Sequence, residues 1–401
     1  MNLKNQENTL RIKSIEANNF KSLVDFRIDL ARFNCLVGLN GSGKSTVLQF
    51  IDFVSQLVRG DMKAWLNERK WKPSDLKSKL TKKKNIDLSV SFTDNDGQDV
   101  GTWKASYNPS KNRCTTERIK LFQSLLEVNS GEIHINTSSN SQTGKNLRSR
   151  ITFEYEGSIL SSLKDYLLPH QIRECKKLIE KIEPHDLLSP EFLRQRTRES
   201  SGSIGLGGRK LAAFLYEHGE PMHSELTKRL KQVYPQLESL NIKSLRSGWK
   251  QLEITEGYDG AQADSPRMTT EARHVNDGML RLIAILAELQ SDHCFLLFDE
   301  IENGINPELV EFVIEALIST EKQVLVTTHS PMILNYLTDE VAKSGVIYLY
   351  KTPEGFTKAI KFFSIPSIAE KLTVMGPGEV FVDTNLMDLT EEIQSLDSEA
   401  K

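Results

Sequence analysis

The residues of this chain that could do chemistry gather in two short stretches. "GLNGSGKST" runs from Gly38 to Thr46, and Gly38, Gly43, Lys44 and Ser45 satisfy G-x-x-x-x-G-K-[ST]. Glycines let a backbone curl until successive N–H groups point inward at phosphate oxygens. The loop Asn40, Gly41, Ser42, Gly43, Lys44, Ser45 and Thr46 is therefore a candidate phosphate cradle. Lys44 is placed to reach the β- and γ-phosphates, and the Ser45 hydroxyl to ligate Mg²⁺. The second stretch is "CFLLFDE", where Phe295 to Phe298 run into Asp299 and Glu300. Asp299 is a candidate Mg²⁺ ligand, and Glu300 a candidate polariser of an attacking water. Together these groups suit phosphoryl transfer from a nucleoside triphosphate to water.

Two further features accompany them. "VLVTTHS" ends an apolar run in His329, where an imidazole can contact and sense a γ-phosphate. "RHVNDGMLRL" places Asn276, Asp277 and Gly278 just ahead of an apolar helical run. A polar turn at a helix N-terminus is a second anion site, because free N–H groups and the helix dipole converge there. One chain already has a phosphate loop. The second site is best explained by action in trans, across a dimer that sandwiches ATP.

The surrounding pattern supplies the supports. "RFNCLVG" is a buried strand ahead of the loop, and "TVLQFIDFVSQLV" an apolar-striped helix behind it, the context that the loop requires. "LRIKSIEANNFKSL" and "VDFRIDL" read as the first strands, and "IDLSVSFTDNDGQDVGTWKASYN" as a hairpin turning at "DNDG". Residues 60 to 85 read as basic and helical, and 129 to 150 as an exposed polar loop. From 158 to 245 the pattern is helical, including "SELTKRLKQVYPQLESL". Beyond 250, buried strands alternate with helices: "KQLEITEG", "MLRLIAILAELQ", "CFLLFDE", "PELVEFVIEALIST", "KQVLVTTHS", "PMILNYLTDEVA", then the hairpin "GVIYLYKTPEGFTKAIKFF". Such alternation specifies an α/β fold with a largely parallel sheet covered on both faces. The tail reads as a turn, a short strand and an acidic helix. The expected division is 1–157, 158–249, 250–363 and 364–401.

Composition excludes several classes. The chain has 401 residues, 26% charged and 38% hydrophobic, with net charge -3, so no global basic balance argues for nucleic acid. No apolar run approaches the roughly 18 residues needed to span a bilayer. The polar start "MNLKNQENTLRIKSI" has no apolar core of a secretory signal. Four scattered cysteines lack C-x-x-C spacing and read as reduced thiols. The expected location is the cytoplasm.

The motif set resembles the ABC-type ATPase heads of the SMC and RecF group over roughly residues 9 to 60 and 250 to 350. Within the group it is most similar to ATPases of the overcoming-lysogenization-defect type and related bacterial AAA family proteins. "NNFKSL", "DGMLRL", "DEIENGINP", "TTHSPMIL" and "GGRKLAAFLYE" carry that likeness. It implies a RecF-like P-loop head with a mixed sheet, a β-hairpin lobe and a helical insertion, using ATP and Mg²⁺. By the same resemblance Asn276, Asp277 and Gly278 form the signature turn. Asn303, Gly304, Ile305 and Asn306 form a loop crossing the dimer interface; many relatives have His where Asn306 stands. The transporter signature LSGGQ is absent, and no residue stands out for the glutamine that usually follows the first helix. Relatives often end in a Toprim nuclease; the tail here has no D-x-D pair, so the expected output is a separate effector protein.

Two readings of function follow. One is an ATP-dependent homodimeric switch of an anti-phage defence system, acting on a separately encoded nuclease or toxin. The other is a DNA-repair or replication clamp that touches DNA itself. A weaker third is a scaffold that binds ATP and scarcely hydrolyses it. Arg194, Arg196, Arg198, Arg209 and Lys210 lie close together in sequence. They read either as a phosphate-contacting surface for DNA or RNA or as an ion-paired face. Lys82, Lys83 and Lys84 read as a solvated face.

Overall fold

The computed structural model describes residues 10–137, 146–185, 188–200, 202–258 and 267–399. The chain forms two compact units. The first holds residues up to Ile182, Lys343–Val374 and Asp383 onward; the second holds Glu183–Ala342 and Met375–Val382.

The first unit starts with β1 (Arg11–Asn18), β2 (Phe26–Asp29) and β3 (Phe33–Val37), then α1 (Lys44–Arg59) and α2 (Met62–Glu68). It continues through β4 (Ile86–Thr93), β5 (Asp99–Asn108), β6 (Arg113–Leu121), β7 (Ser124–Asn129), β8 (Glu132–Thr137), β9 (Asn146–Arg150) and α3 (His170–Glu180). Among the described residues these strands, β3 apart, make one antiparallel sheet in the order β2-β1-β4-β5-β6-β7-β8-β9. β10 (Ile182–His185) leads into the second unit, with α4 (Pro190–Leu193), α5 (Leu211–Leu230), β11 (Leu237–Ser244), β12 (Lys250–Gly257) and β13 (Arg267–Glu271). There follow α6 (Asp277–Gln290), β14 (Phe295–Phe298), α7 (Pro307–Ser319), β15 (Gln323–Thr327), α8 (Met332–Asn335) and α9 (Asp339–Gly345). β14 runs parallel to β15 with Phe298 opposite Val326, and β11-β12-β13 form a small antiparallel sheet. The chain returns to the first unit as the hairpin β16 (Val346–Lys351) and β17 (Thr357–Lys361). β16 runs parallel to β3, Val346 opposite Cys35. α10 (Pro366–Lys371), α11 (Pro377–Val382) and α12 (Leu386–Glu399) close the chain.

The core explains where the phosphate loop stands. β3 is buried at every position, as a strand covered on both faces must be. α1 buries Phe50 and Phe53 against Phe20, at ring distances of 5.0 and 5.3 Å, and Phe53 meets Tyr107 of β5 edge-on at 5.2 Å. Asp52, on the same helix and 1% exposed, accepts from the Trp65 indole at 2.6 Å and pairs with Arg69 at 2.7 Å. This pins α2 to α1. At the far end of α1 the Leu57 carbonyl accepts from Ser158 N at 2.7 Å.

Ser158 and Ile159 in turn donate to Glu117 of β6, at 2.5 and 2.6 Å. Burial pushes the Glu117 carboxyl up to about 7, against the pull of these donors. Its folded value thus lies above the ordinary 4.5. The stability gained by holding that proton is complete below the unfolded value and is lost as pH rises through 7. Glu117→Gln is therefore expected to remove the loss, leaving the variant about 3 kcal/mol less sensitive between pH 5 and pH 8. Urea midpoints at the two pH values measure it; a wild type equally stable at both contradicts it.

Several expectations need correction. The first strand stops at Asn18, because Asn19 and Lys21 take left-handed φ of 69° and 45°. Between 60 and 85 only α2 and a 3-10 turn at Pro73–Leu76 are helical, since the lysine-rich run offers no apolar stripe. The polar stretch 129–150 contains β8 and β9, because Ile133 and Ile135 alternate inward. Its residues 138–145 lie outside the described residues, as does the polar start 1–9. "LESL" belongs to β11, not a helix: α5 ends before Pro235, and a bulge between Leu237 and Ser239 hides the alternation. "PMILNYLTDEVA" forms two short helices, the expected tail strand is helix α11 with Pro377 in its first turn, and β13 carries no clear sequence signal.

Candidate functional site

The phosphate loop lies in the first unit. β3 delivers the chain into the loop and α1 carries it away, with Gly43 as the N-cap at φ 113°. Only glycine fits there: a Cβ on Gly43 would sit 2.4 Å from Thr357 Oγ1, and one on Gly38 2.4 Å from the Leu349 carbonyl oxygen. Asn40, Gly41 and Ser45 are exposed and Thr46 is half-buried, so the mouth of the loop is open. Lys44 is 6% exposed, and its ammonium folds back to donate to the Gly38 carbonyl at 2.8 Å and the Leu39 carbonyl at 3.3 Å. The Ser42 hydroxyl is buried and makes no hydrogen bond. A buried donor without a partner costs about 1–3 kcal/mol, which a phosphate oxygen would relieve.

The two acids and His329 lie in the second unit. Thr327, at the end of β15 and fully buried, joins both acids. Its hydroxyl donates to Asp299 Oδ1 at 2.6 Å and accepts from Glu300 N at 2.8 Å. Glu300 has φ 48°. A left-handed acid there is strained by about 1–3 kcal/mol, and the Thr327 bond helps to hold it. Asn303 donates to Glu300 Oε2 at 3.2 Å, and His329 Nε2 stands 3.7 Å from Glu300 Oε1. Glu302 fixes the backbone at His329. One of its oxygens accepts from His329 N at 2.8 Å, Ser330 N at 3.1 Å and the Thr328 hydroxyl at 3.0 Å.

Behind β14 lies a buried ionic cluster. Glu288 accepts from His293 Nδ1 at 2.8 Å and faces His185 Nε2 at 3.6 Å. Burial opposes its ionisation, but His185 and His293 hold it far below the usual carboxylate range. His185 stacks on Phe298 at 4.9 Å, and its carbonyl accepts from Asp299 N at 3.2 Å. Removing both histidines would leave the buried carboxylate unpaired.

The Asn276–Gly278 turn opens α6. Asn276 caps that helix, its Oδ1 accepting from Met279 N at 2.8 Å, and both Asn276 and Asp277 are exposed. Arg194, from the arginine-rich stretch, donates to the Val275 carbonyl at 2.8 Å and to the Asp277 carboxylate. Arg196 pairs with Glu271 at 3.4 Å. These two arginines brace the turn and its approach. Arg198 and Trp249 stack at 4.9 Å on the surface, while Arg209 Nε donates to the Leu206 carbonyl at 3.3 Å and Lys210 begins α5 as its N-cap. A Cβ on Gly278 would lie 3.4 Å from the Gly304 carbonyl oxygen, so the Asn276–Gly278 turn and the Asn303–Asn306 loop share one surface. Arg281, 7% exposed, backs that loop: a Cβ on Gly304 would meet its Nε at 2.9 Å.

The motifs mark Lys44, Ser45, Asp299, Glu300, Asn276 and His329. They do not mark Thr327, Glu302, Arg281 or the turn-bracing role of Arg194, whose partners lie far along the chain. Glu302 alone had a local signal, as the third acid of "DEIEN".

The architecture is that of an SMC head, a P-loop ATPase fold. An SMC head bound to the C-winged helix domain of ScpA matches with TM-score 0.54 at 15% identity, over 87% of this chain and 97% of that one. A Pyrococcus furiosus SMC head with an extended coiled coil, bound to the C-terminal domain of ScpA, matches with TM-score 0.50 at 13% identity, over 91% and 100%. Residues 10–206 match the family described as "AAA ATPase domain", and residues 266–335 the one described as "AAA domain, putative AbiEii toxin, Type IV TA system". No curated protein matches. The chain is an ATP-hydrolysing enzyme with AAA-type ATPase domains. No helix among the described residues is long and apolar enough to cross a membrane.

Proposed function

We propose that this ATPase is a dimeric cytoplasmic switch of a bacterial defence system, in which ATP holds two copies together and hydrolysis releases them. Ser45 and Asp299 supply a hydroxyl and a carboxylate, hard oxygen donors of the kind Mg²⁺ prefers; when bound, the ion neutralises phosphate charge. Lys44 binds the terminal phosphates, Glu300 orients water, and His329 reads the γ-phosphate. The Asn276–Gly278 turn of a second copy closes the site.

The observation that supports this best is the exposed turn at the start of α6. It is capped, braced by Arg194 and flanked by the Asn303–Asn306 loop, yet it belongs to a chain that already carries a phosphate loop. The match to a family described as a putative toxin of a toxin–antitoxin system favours defence, with a separate nuclease or toxin as effector. Light scattering tests the switch. Mass should double with ATP and Mg²⁺ but not with ADP; a monomer under both conditions counts against it.

A second reading, direct DNA contact of the RecF-like kind, draws on Arg198 stacked over half-exposed Trp249. Salt-dependent duplex binding that Arg198→Ala weakens would favour it.

A further inference from the structure

A phosphate loop that turns its N–H groups inward turns carbonyls outward, and a carbonyl buried in the fold needs a donor. For Ser42 that donor is Thr357, the first residue of β17, whose hydroxyl reaches the Ser42 carbonyl at 2.9 Å. Thr357 is fully buried, and its own N–H donates to the Ser22 carbonyl at 2.9 Å. Two more groups meet the same oxygen: the Ser22 hydroxyl at 2.8 Å and the Lys351 ammonium at 3.0 Å. A hydroxyl has one hydrogen. With that hydrogen committed to Ser42, Ser22 and Lys351 must both donate to Thr357. The bonds therefore all run one way, from the hairpin and the "NNFKSL" turn into the loop. A cation at the head of such a chain strengthens each bond after it. Thr357 Oγ1 also lies where a side chain on Gly43 would be, so it fills the space behind the loop as well as bonding to it.

We infer that Thr357, polarised by Lys351, is a positioning residue that holds the Ser42–Gly43 segment in its phosphate-binding shape, so that ATP affinity is set from the β16–β17 hairpin. Nothing in the loop motif points to either residue. The inference rests on the phosphate-loop assignment, and the two fail differently. A wild type that binds no ATP removes the assignment, whereas wild-type binding that ignores position 357 removes only this inference.

The test is steady-state ATP hydrolysis and equilibrium ATP binding by three variants of the full chain. Thr357→Val keeps the shape and removes the hydroxyl; it should raise KM and Kd for ATP about tenfold while kcat stays within about twofold. Thr357→Ser keeps the hydroxyl and should remain within about twofold of wild type in all three. Lys351→Met leaves the Thr357–Ser42 bond but removes its polarising charge, and should raise KM about threefold. A Val variant with wild-type KM overturns the inference, as does a Ser variant impaired as badly as Val. If Thr357→Val does not fold, Lys351→Met decides: an unchanged KM overturns it and a raised KM with kcat held sustains it.

Discussion

Replacing Glu300 with Gln is expected to slow ATP turnover about a thousandfold, with ATP affinity unchanged. Glutamine has the size of glutamate and can occupy the same left-handed backbone position, φ 48°. The bond from Glu300 N to the Thr327 hydroxyl involves only the backbone and survives. What disappears is the negative charge that draws a proton from the attacking water. The other groups keep their partners: Thr327 still donates to Asp299, and Glu302 still holds the His329 segment. The variant should thus bind ATP and remain clamped as a dimer, visible as a doubled mass that persists for hours. Single-turnover phosphate release measures the slowing. Turnover near the wild-type rate would assign the water-orienting role to another residue.

Gly278→Asp should be nearly as damaging by a different route. Gly278 is the second residue of α6. An acid in the first turn suits the helix dipole, so the fold is expected to survive. A Cβ there has room, with the Gly304 carbonyl oxygen 3.4 Å away. The added carboxylate would point a negative charge from the signature turn at the phosphate of the opposing copy. Two like charges about 4 Å apart repel by about 4 kcal/mol near a protein surface, which corresponds to a thousandfold loss of dimer. Binding of ATP to the isolated chain uses the phosphate loop and should be untouched. The variant should hold ATP, remain monomeric and hydrolyse at least a hundredfold slower. ATP binding lost together with turnover would mean that the turn acts within its own chain.

The loop, the acids and the Asn276–Gly278 turn stand out in the sequence because each is a contiguous run with a physical reason for its spacing. β3, α1, α6 and β14 were legible for the same reason: buried strands and striped helices leave periodic apolar patterns. The supports were not. Thr357 is far along the chain from the loop that it holds, and Thr327 is one of two adjacent threonines in "TTHS". Arg194 reads equally as a nucleic-acid contact or as part of an ion-paired face, because neighbouring charges in sequence say nothing about Asp277 on α6. The antiparallel sheet grew longer than expected because the polar Ser/Asn/Thr cluster masked the short alternation at Ile133 and Ile135. β11 was hidden by its bulge. In each case the determining partner is distant in sequence or the local period is broken.

The central claim is that each ATP is shared by two copies of the chain. Mixing Glu300→Gln with Gly278→Asp tests it directly. In a mixed dimer, one site combines the intact loop and acids of the Gly278→Asp copy with the intact turn of the Glu300→Gln copy. Two variants that are inactive alone should therefore regain ATPase activity when refolded together in equal amounts, with about one quarter of the wild-type rate as the ceiling that random pairing sets. If the mixture remains as inactive as its components while mixed dimers are shown to form, the site is not shared and the account fails.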